Sequence, residues 1–350
     1  MKKIISIVII YMLMFTGIVG CGQAADGIEQ SFFEKKHKQY QATYFDLFDT
    51  VTTVVGYAKT EEEFKEVSSE IYGQLKHYHG LFDIYHEYEE ANLKTINDQA
   101  AISPVEVDGE IIELLEDCRR YYELTGGSVN AAMGSVLSLW HEARVIAMEE
   151  AGKAELPSED ALAEAVKHIG FENVVINTEL STVFLKDNKM SLDVGAIAKG
   201  WAVERVSKNI PEGYLISVGG NVRVTGPKPD GSPWIIGIQD PTDSSSYIEK
   251  VSISCGSVVT SGDYQRYVEV NGKKYHHLID VATGYPAEFW KSVTVVCEDS
   301  GMADALSTAL FVLKKEEGKK ILEQFDAEAM WVDLDGKIDF GDKFKEYFIR

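Results

Sequence analysis

Two adjacent histidines, His276 and His277, are the side chains of this sequence best suited to accept a proton during catalysis. They lie in the run YHHLID (275–280), which is typical of the end of a strand. Because successive side chains of a strand point to opposite faces, at most one imidazole faces a given pocket. We predict that His277 is the base, since Asp280 follows three residues later and could orient it. His276 is the alternative, and a pair without chemistry, one exposed and one in the core, also fits the pattern.

A second candidate group is the acid and hydroxyls of the run DSGMADALSTA (299–309). Asp304 and Thr308 are four residues apart and lie on one face if the run is a helix, with Ser307 beside them. Carboxylate and hydroxyl oxygens are hard ligands that suit a Mg²⁺ ion sharing substrate phosphates. The alternative is a capped helix that buries small polar side chains.

A third candidate is the run SLDVGAIAKG (191–200), which leads from a strand through a glycine turn into a helix. Free N–H groups at a helix start attract phosphate, and Lys199 adds a positive charge one turn later. Asp193 supplies an acceptor at the strand end. The spacing differs from a Walker loop, and a plain turn with a surface lysine is the alternative.

The elements that must position these residues are short strands and amphipathic helices. Apolar periodicity predicts helices at 61–81, 110–124, 158–169, 196–209 and 302–313. Strands are predicted at 50–57, 174–177, 183–186, 215–218, 222–226, 234–239, 248–254, 266–270, 274–279 and 293–297. Since no linker or repeat divides the chain, we predict one α+β domain of mainly antiparallel strands with flanking helices.

Composition narrows the class of protein. The 350 residues carry 56 acidic and 34 basic side chains, a formal charge of −22, which argues against a nucleic-acid partner. The hydrophobic content of 45% is that of an ordinary globular chain. Three cysteines, Cys118, Cys255 and Cys297, are widely spaced and are predicted to be core residues, with one bridging pair left open.

The N-terminal segment predicts export and a membrane anchor. Lys2 and Lys3 precede an apolar stretch that ends at Gly20 and Cys21. The segment resembles a bacterial lipoprotein signal, which implies cleavage of residues 1–20 and lipidation of Cys21. Residues 21–41 would then form a tether and 42–350 the domain, on the extracytoplasmic face of the cell membrane. An uncleaved anchor is the alternative.

Several runs, taken together and in order, resemble the ApbE family of FAD:protein FMN transferases. They are FDT (48–50), DVGAIAKGWAVE (193–204), SVGGNVRVTG (217–226), VVTSGDYQRY (258–267), YHHLIDVATGYPA (275–287) and SVTVVCEDSGMADALSTALFVL (292–313). The resemblance implies a T-fold-like α+β domain. The sequence departs from the family pattern at Phe48, after Gly134, and at Val281 in place of a proline.

The resemblance also implies a reaction and a set of site residues. The family binds FAD and Mg²⁺ and moves the FMN half of FAD onto a Thr or Ser hydroxyl of a partner flavoprotein, releasing AMP. The FAD contacts implied by position are Tyr85, Ala132, Met133, Gly134, Asp193, Lys199 and Leu278. The implied metal ligands are the Ala196 carbonyl, Asp304 and Thr308, with Ser307 as a further member.

These assignments predict phosphoryl transfer in which a partner threonine attacks the FMN-side phosphorus, a reaction that depends on positioning and charge neutralisation. Asp263 is assigned to the acceptor side. Three other functions fit the same sequence: an FAD pyrophosphatase, a flavin-binding lipoprotein without turnover, and the solute-binding lipoprotein of a transporter. The sequence does not identify the acceptor protein.

Overall fold

The computed structural model describes residues 36–149 and 155–349. Its strands are β1 (Lys38–Leu47), β2 (Thr50–Ala58), β3 (Val105–Glu106), β4 (Val174–Asn177), β5 (Thr182–Leu185), β6 (Tyr214–Val218), β7 (Asn221–Val224), β8 (Trp234–Gln239), β9 (Tyr247–Ile253), β10 (Gly256–Gly262), β11 (Tyr267–Val270), β12 (Lys273–His276), β13 (Trp290–Cys297), β14 (Ala327–Asp333) and β15 (Ile338–Phe340). Its helices are α1 (Glu61–Phe82), α2 (Leu93–Asp98), α3 (Gly109–Leu124), α4 (Gly134–Glu149), α5 (Glu159–Ala165), α6 (Ala198–Ser207), α7 (Ser300–Val312) and α8 (Lys315–Leu322).

One eight-stranded sheet organises the described residues. Its strand order is β1-β2-β6-β7-β10-β13-β14-β15, and every neighbouring pair is antiparallel. Smaller sheets are formed by β3-β5-β4, by β8-β9 and by β11-β12. The predicted α+β fold of mainly antiparallel strands is therefore confirmed.

The central strands of the sheet are buried on both faces because consecutive side chains pack against different layers. Val54 packs with α1, α3 and α6, whereas Val55 packs with the β8-β9 hairpin. Val295 packs under α7 and α8, and its neighbour Val296 lies on the hairpin side. This alternation follows from the two-residue repeat of a strand. The candidate site lies on the helical side of the sheet.

Two helices meet closely beneath the site. Helix α7 begins where the Asp299 side chain accepts the N–H of Met302 at 2.8 Å, an ordinary N-cap. Helix α6 crosses it at Gly200, where an added Cβ would lie 2.3 Å from the Ser300 carbonyl oxygen. Glycine is thus required at this crossing by the close approach of two backbones.

Several predicted boundaries are corrected by the structure. Ser158 caps α5 as predicted, but that helix ends at Ala165 and continues only as a 3-10 turn, Val166–His168. The predicted strand 274–279 ends at His276. Strands β1, β10, β14 and β15 and helices α4 and α8 were not predicted.

The predicted start of the domain at residue 42 lies inside β1, which pairs with β2 from Lys38 onward. The predicted tether is therefore too long by several residues. All three cysteines in the described residues are free, and Cys255 is exposed rather than in the core, unlike Cys118 and Cys297. The predicted signal, Cys21 and most of the tether lie outside the described residues. No helix of the described part is long and apolar enough to cross a membrane.

Candidate functional site

His276 points into the core. Its Nδ1 accepts the N–H of Leu278 at 3.2 Å, and its Nε2 lies 2.8 Å from the Ala287 carbonyl oxygen, which requires that Nε2 carry the proton. The ring packs edge-on against Phe311. Burial lowers the pKa of His276, although the Ala287 carbonyl opposes the shift. Both ring nitrogens are therefore already used within the fold.

His277 points to the other side of the hairpin, among basic side chains. Its backbone N–H donates to the Arg266 carbonyl at 3.1 Å, and its Nδ1 lies 3.2 Å from the same oxygen. A carbonyl only accepts, so this contact places the proton on Nδ1 and leaves Nε2 able to accept one. Burial lowers the pKa of His277 to about 3, and the positive charges of Arg266, Arg144 and Lys199 add to the shift.

The orienting role expected for Asp280 is wrong. Its carboxylate accepts the N–H of Ala282 at 2.9 Å and the hydroxyl of Thr283 at 3.3 Å, so it closes its own turn. The group that orients His277 is the Arg266 carbonyl, across the β11-β12 hairpin.

Asp263 lies near two lysines. Burial raises its pKa, and the basic side chains that oppose the shift are Lys291 and Lys274. Its backbone N–H donates to the Lys291 carbonyl at 3.0 Å. Its assignment to the acceptor side stays a prediction.

The turn before α6 brings Asp193 and Lys199 together. The Asp193 side chain accepts the N–H of Gly195 at 2.9 Å and so shapes the turn. The Lys199 ammonium donates to the Gly195 carbonyl at 3.1 Å and lies 3.5 Å from the Asp304 carboxylate. The structure thus brings Lys199, assigned to FAD, next to Asp304, assigned to the metal, which the sequence did not predict.

The same turn leaves a backbone oxygen free. The N–H of Gly200, which would ordinarily bond to the carbonyl four residues earlier, donates instead to Asp304 at 2.9 Å. Among the described residues, the Ala196 carbonyl consequently accepts no hydrogen bond. An unpartnered carbonyl oxygen near a buried carboxylate is a suitable pair of hard ligands for a cation.

Asp304 is buried within α7, with 4% of its surface exposed. Burial raises its pKa, and the neighbouring Lys199 opposes the shift. Ser307 donates to the Asp304 carbonyl at 2.9 Å and bonds Ser261 at 2.8 Å, so its hydroxyl is occupied. The Thr308 hydroxyl has only a long 3.5 Å contact, to Ser261.

These oxygens fit a magnesium site in their chemistry. Asp304, the Ala196 carbonyl and the Thr308 hydroxyl are all hard donors, and a buried carboxylate is stabilised by an added cation. The described residues contain no group of three or more His, Cys, Asp or Glu side chains that could hold a metal. A Mg²⁺ ion here would accordingly depend on water and substrate oxygens for its remaining ligands.

Tyr85 lies at the open side of the site, on a loop that Asp83 holds. The Asp83 carboxylate accepts the N–H groups of Tyr85 and His86 at 2.6 and 3.0 Å. The Tyr85 ring is 46% exposed and stacks on His141 with centroids 4.7 Å apart. Burial raises the pKa of Tyr85 to about 12, with Asp193 adding to the shift. An exposed, pre-stacked ring of this kind offers a surface to a planar ligand.

The remaining residues assigned to FAD are buried. Ala132, Met133 and Gly134 lead into α4, and the N–H of Gly134 donates to the Ser191 carbonyl at 3.0 Å. Leu278 is a core residue, and its backbone N–H and carbonyl both bond within the fold. These positions shape the wall of the site and present few free groups to it.

Three site residues were missed by the sequence analysis. His141 and Arg144 lie on α4, in a stretch that was not assigned to any element, and Arg266 was quoted only as part of a run. Trp140 fixes helix α4 to the hairpin and to the turn after it: its ring stacks on Tyr275 of β12, and its indole N–H donates to the Gly284 carbonyl at 2.8 Å. The apolar spacing of Val136, Trp140 and Ala143 was the signal that could have predicted this helix.

The turn between β1 and β2 completes the site. Phe48 and Asp49 both adopt the left-handed conformation, with φ of 51° each, and their carbonyl oxygens accept the Arg266 guanidinium at 3.3 and 3.2 Å. Left-handed residues other than glycine are uncommon, and a pair of them gives the sharp turn that a hairpin needs. Arg266 is thereby held in place without a carboxylate.

Comparisons with known proteins identify the family of this chain. Residues 48–331 match the ApbE family. The FAD:protein FMN transferase of Haemophilus influenzae is 28% identical over 334 residues, covering 93% of this chain and 91% of that protein. That of Treponema pallidum is 34% identical over 270 residues, covering 71% and 73%. The crystal structure of the ApbE protein from Thermotoga maritima superimposes with a TM-score of 0.80 at 31% identity, covering 89% of this chain and 100% of that one.

Proposed function

The chain belongs to the ApbE family, and we propose that this FAD:protein FMN transferase moves the FMN half of FAD onto a threonine or serine hydroxyl of an acceptor flavoprotein, releasing AMP. One observation carries the proposal beyond family membership. A neutral imidazole, His277, stands with Nε2 free beside Arg144, Arg266 and Lys199. A base surrounded by cations is suited to activating a hydroxyl next to a phosphate.

In the proposed reaction His277 accepts the proton of the acceptor hydroxyl on Nε2. The hydroxyl oxygen forms a bond to the FMN-side phosphorus, and the bond from that phosphorus to the bridging oxygen breaks. AMP leaves with the bridging oxygen and the electron pair of the broken bond. The protein contributes mainly position and charge, as in other phosphoryl transfers.

The low pKa of His277 is compatible with this role. In the protein alone, burial and three nearby cations disfavour the imidazolium. The diphosphate of FAD brings negative charge to those cations and so raises the pKa of His277 toward the working range. The base would consequently become effective only when FAD is bound, which limits proton uptake in its absence.

Asp304, the Ala196 carbonyl and Thr308 would hold Mg²⁺. When bound, Mg²⁺ supplies Lewis-acid stabilisation of the charge on the diphosphate. Asp304 receives the Gly200 N–H and the Lys199 ammonium, which fix its orientation. Lys199 remains close enough to balance charge at the phosphates.

Tyr85, Asp193 and Lys199 would contact FAD. The exposed Tyr85 ring offers a stacking surface for the flavin or the adenine. Lys199 supplies positive charge at the turn before α6, and Asp193 is held there by the Gly195 N–H. Residues 132–134 would approach the flavin mainly through their backbone, since Ala132 and Met133 are buried.

The proposal includes an extracytoplasmic location. The sequence Gly20-Cys21 after an apolar segment supports lipidation of Cys21 and attachment to the cell membrane. Cys21→Ala should leave unprocessed precursor and abolish labelling with radioactive palmitate. Unchanged processing and labelling of this variant would contradict the anchor.

The function is tested by incubating the protein with FAD, Mg²⁺ and a candidate acceptor flavoprotein. We expect flavin fluorescence on the acceptor band of a denaturing gel, together with one AMP for each flavin transferred. Free FMN formed without an acceptor would identify a pyrophosphatase instead. FAD recovered intact in every condition would identify a flavin-binding protein without turnover.

A further inference from the structure

The arginines of the described residues divide into two groups. Six arginines are described, and four of them lie within 4 Å of a carboxylate: Arg119 with Glu116, Arg120 with Asp117, Arg205 with Glu113 and Arg223 with Glu204. The other two, Arg144 and Arg266, have no carboxylate at that distance among the described residues. In a chain with a formal charge of −22, acids are abundant. Two arginines at one site that lack a carboxylate within 4 Å are therefore candidates to bind an external anion.

Arg144 is the less constrained of the two. Arg266 already donates to the carbonyls of Phe48 and Asp49. Arg144 makes no hydrogen bond or ion pair with any described residue, although it is partly buried. A guanidinium withdrawn from water without a partner carries a desolvation cost, which a bound anion would relieve.

The position of Arg144 points toward the FAD site. It follows His141 by three residues on α4, so both side chains lie on one helix face, and His141 stacks on Tyr85. Arg144 also lines a groove with Tyr267 and Val268 of β11. Its charge acts on both Tyr85 and His277.

We propose that Arg144 is a phosphate-binding residue of the FAD site, which contacts the FMN-side phosphate from α4. The proposal rests on the function proposed above, because FAD is the anionic substrate of that reaction. Guanidinium is well matched to phosphate, since its planar fork can donate two parallel hydrogen bonds. Lys199 approaches from α6 and Arg266 from the hairpin, so the diphosphate would be enclosed by three separate elements.

A neutral ring is a poorer explanation for Arg144. The Tyr85–His141 stack already provides an aromatic surface, and neither ring carries the negative charge that an unpaired guanidinium requires. A carboxylate of the acceptor protein has the right charge and is the alternative occupant, but it would have no effect on flavin binding measured without acceptor. These occupants give different results when flavins with and without phosphate are compared.

The test is an equilibrium titration of the full-length protein with FAD, FMN and riboflavin, without acceptor. Arg144→Gln should weaken binding of FAD and FMN roughly 10- to 100-fold, the effect of losing one charged hydrogen bond. Riboflavin, which lacks phosphate, should bind the variant and the parent protein equally. Arg144→Lys, which keeps the charge but not the fork, should fall between the two.

Arg119→Gln is the matched control, because Arg119 pairs with Glu116 on α3 and lies outside the site. It should leave all three affinities unchanged. The thermal midpoint of each variant verifies folding, and Arg144→Lys serves if Arg144→Gln fails to fold.

Two results would overturn the proposal. Riboflavin weakened as much as FAD would assign Arg144 to the flavin ring. Unchanged affinity for FAD and FMN would remove it from the phosphates, and in that case a rise in the acceptor KM, measured separately in the transfer assay, would assign it to the acceptor. The titrations measure binding and need no flavin transfer. If Arg144 proved necessary for phosphate-dependent binding but the protein did not flavinylate an acceptor, this inference would stand and the proposed function would fail.

Discussion

The two sides of the site are built differently. The helix side, formed by Gly200 of α6 and by Asp304, Ser307 and Thr308 of α7, is buried, and most of its polar groups already have partners. The hairpin side, formed by Tyr85, His141, Arg144, Arg266 and His277, is partly exposed. Among the described residues, Arg266 and His277 bond to carbonyl oxygens, His141 stacks on Tyr85, and Arg144 makes no hydrogen bond or ion pair. The helix side resembles a protein core, and the hairpin side resembles a ligand-binding surface.

This difference indicates how the site is stabilised. The helix side is held by close packing and internal hydrogen bonds, so its residues contribute to the fold as well as to chemistry. The hairpin side is held through backbone carbonyls and the anchor of Trp140, which leaves side-chain groups free for substrate. Substitutions on the hairpin side should therefore change chemistry more than stability, and a packing change on the helix side should do the reverse.

His277→Ala should have the largest effect on the rate of flavin transfer. A small effect would contradict the difference proposed between the hairpin side and the helix side. A positioned base typically contributes about 10²–10⁴-fold in rate, so single-turnover transfer should slow by that factor. Binding of FAD should persist, because Arg144, Arg266 and Lys199 remain.

His276→Ala is the paired variant, since its ring packs on Phe311 in the core. It should lower the free energy of unfolding and leave the chemical step of the folded fraction near that of the parent. Equal and small losses of rate in both variants would remove any base from the mechanism. A large loss of rate at His276 alone would reverse the assignment.

Asp304→Asn should have the next largest effect. It keeps the shape of the side chain but removes the charge that would hold Mg²⁺, so we expect a loss of roughly 10- to 100-fold in transfer rate, the effect of removing a charged interaction. Thr308→Val should cost less, because a hydroxyl carries no formal charge. Chelator should stop transfer by the parent protein, and Mg²⁺ should restore it.

The metal titration of each variant provides the control. Asp304→Asn should require a higher Mg²⁺ concentration for half-maximal rate than the parent protein does. If purified Asp304→Asn transferred flavin at the full rate in the presence of chelator, the metal assignment would be wrong.

Gly200→Ala should act mainly on stability. The added methyl would lie 2.3 Å from the Ser300 carbonyl oxygen and 2.5 Å from the Asp304 Cβ, so the two helices must separate. Overpacking of this kind typically costs about 1–3 kcal/mol, to be measured by denaturant unfolding.

Gly73→Ala is the matched control, because Gly73 lies within α1 and an added Cβ meets no atom within 4 Å. It should raise the free energy of unfolding by about 0.5–1 kcal/mol, through better helix propensity. Equal effects of the two substitutions would show that the α6–α7 crossing is not closely packed.

The two sides were also unequally predictable from sequence. Helix α7 was predicted to within two residues at each end, because its apolar spacing and the Asp299 cap are local signals. The opposite faces of His276 and His277 follow equally locally from strand alternation. Lys199 and Asp193 were predicted because a glycine turn before a helix has a recognisable composition.

The hairpin side depends on contacts between distant segments. Arg144 lies on α4, which is held partly by the bond from Trp140 to Gly284, and neither residue signals this contact in the sequence. The Arg266 guanidinium is held by a left-handed turn at Phe48 and Asp49, residue types that do not predict such a turn. The orienting role expected for Asp280 is wrong because a short acidic side chain bonds its own turn in preference to a neighbour.

The smallest predicted effect is a dependence of stability on pH that originates at the two histidines. The pKa of His277 is lowered to about 3 by burial and by Arg266, and burial lowers that of His276 too, whereas an unfolded histidine titrates near 6.5. Between these values the unfolded chain binds more protons than the folded one. The free energy of unfolding therefore rises with pH through this window. The contribution of the two histidines to stability is complete above about pH 6.5 and is lost as the pH falls.

Each histidine contributes at most about 1.4 kcal/mol per pH unit, and solvent screening keeps the contribution of the partly exposed His277 below that limit. His277→Gln should flatten the slope of unfolding free energy between about pH 6.5 and 4.5, measured against the parent so that carboxylates such as Asp304 cancel. Saturating FAD should reduce the difference, because the diphosphate raises the pKa of His277. An unchanged slope in His277→Gln would mean that this imidazole is as well solvated in the folded protein as in the unfolded chain. The cations of the hairpin side would then not act on His277, and this electrostatic difference between the two sides of the site would be lost.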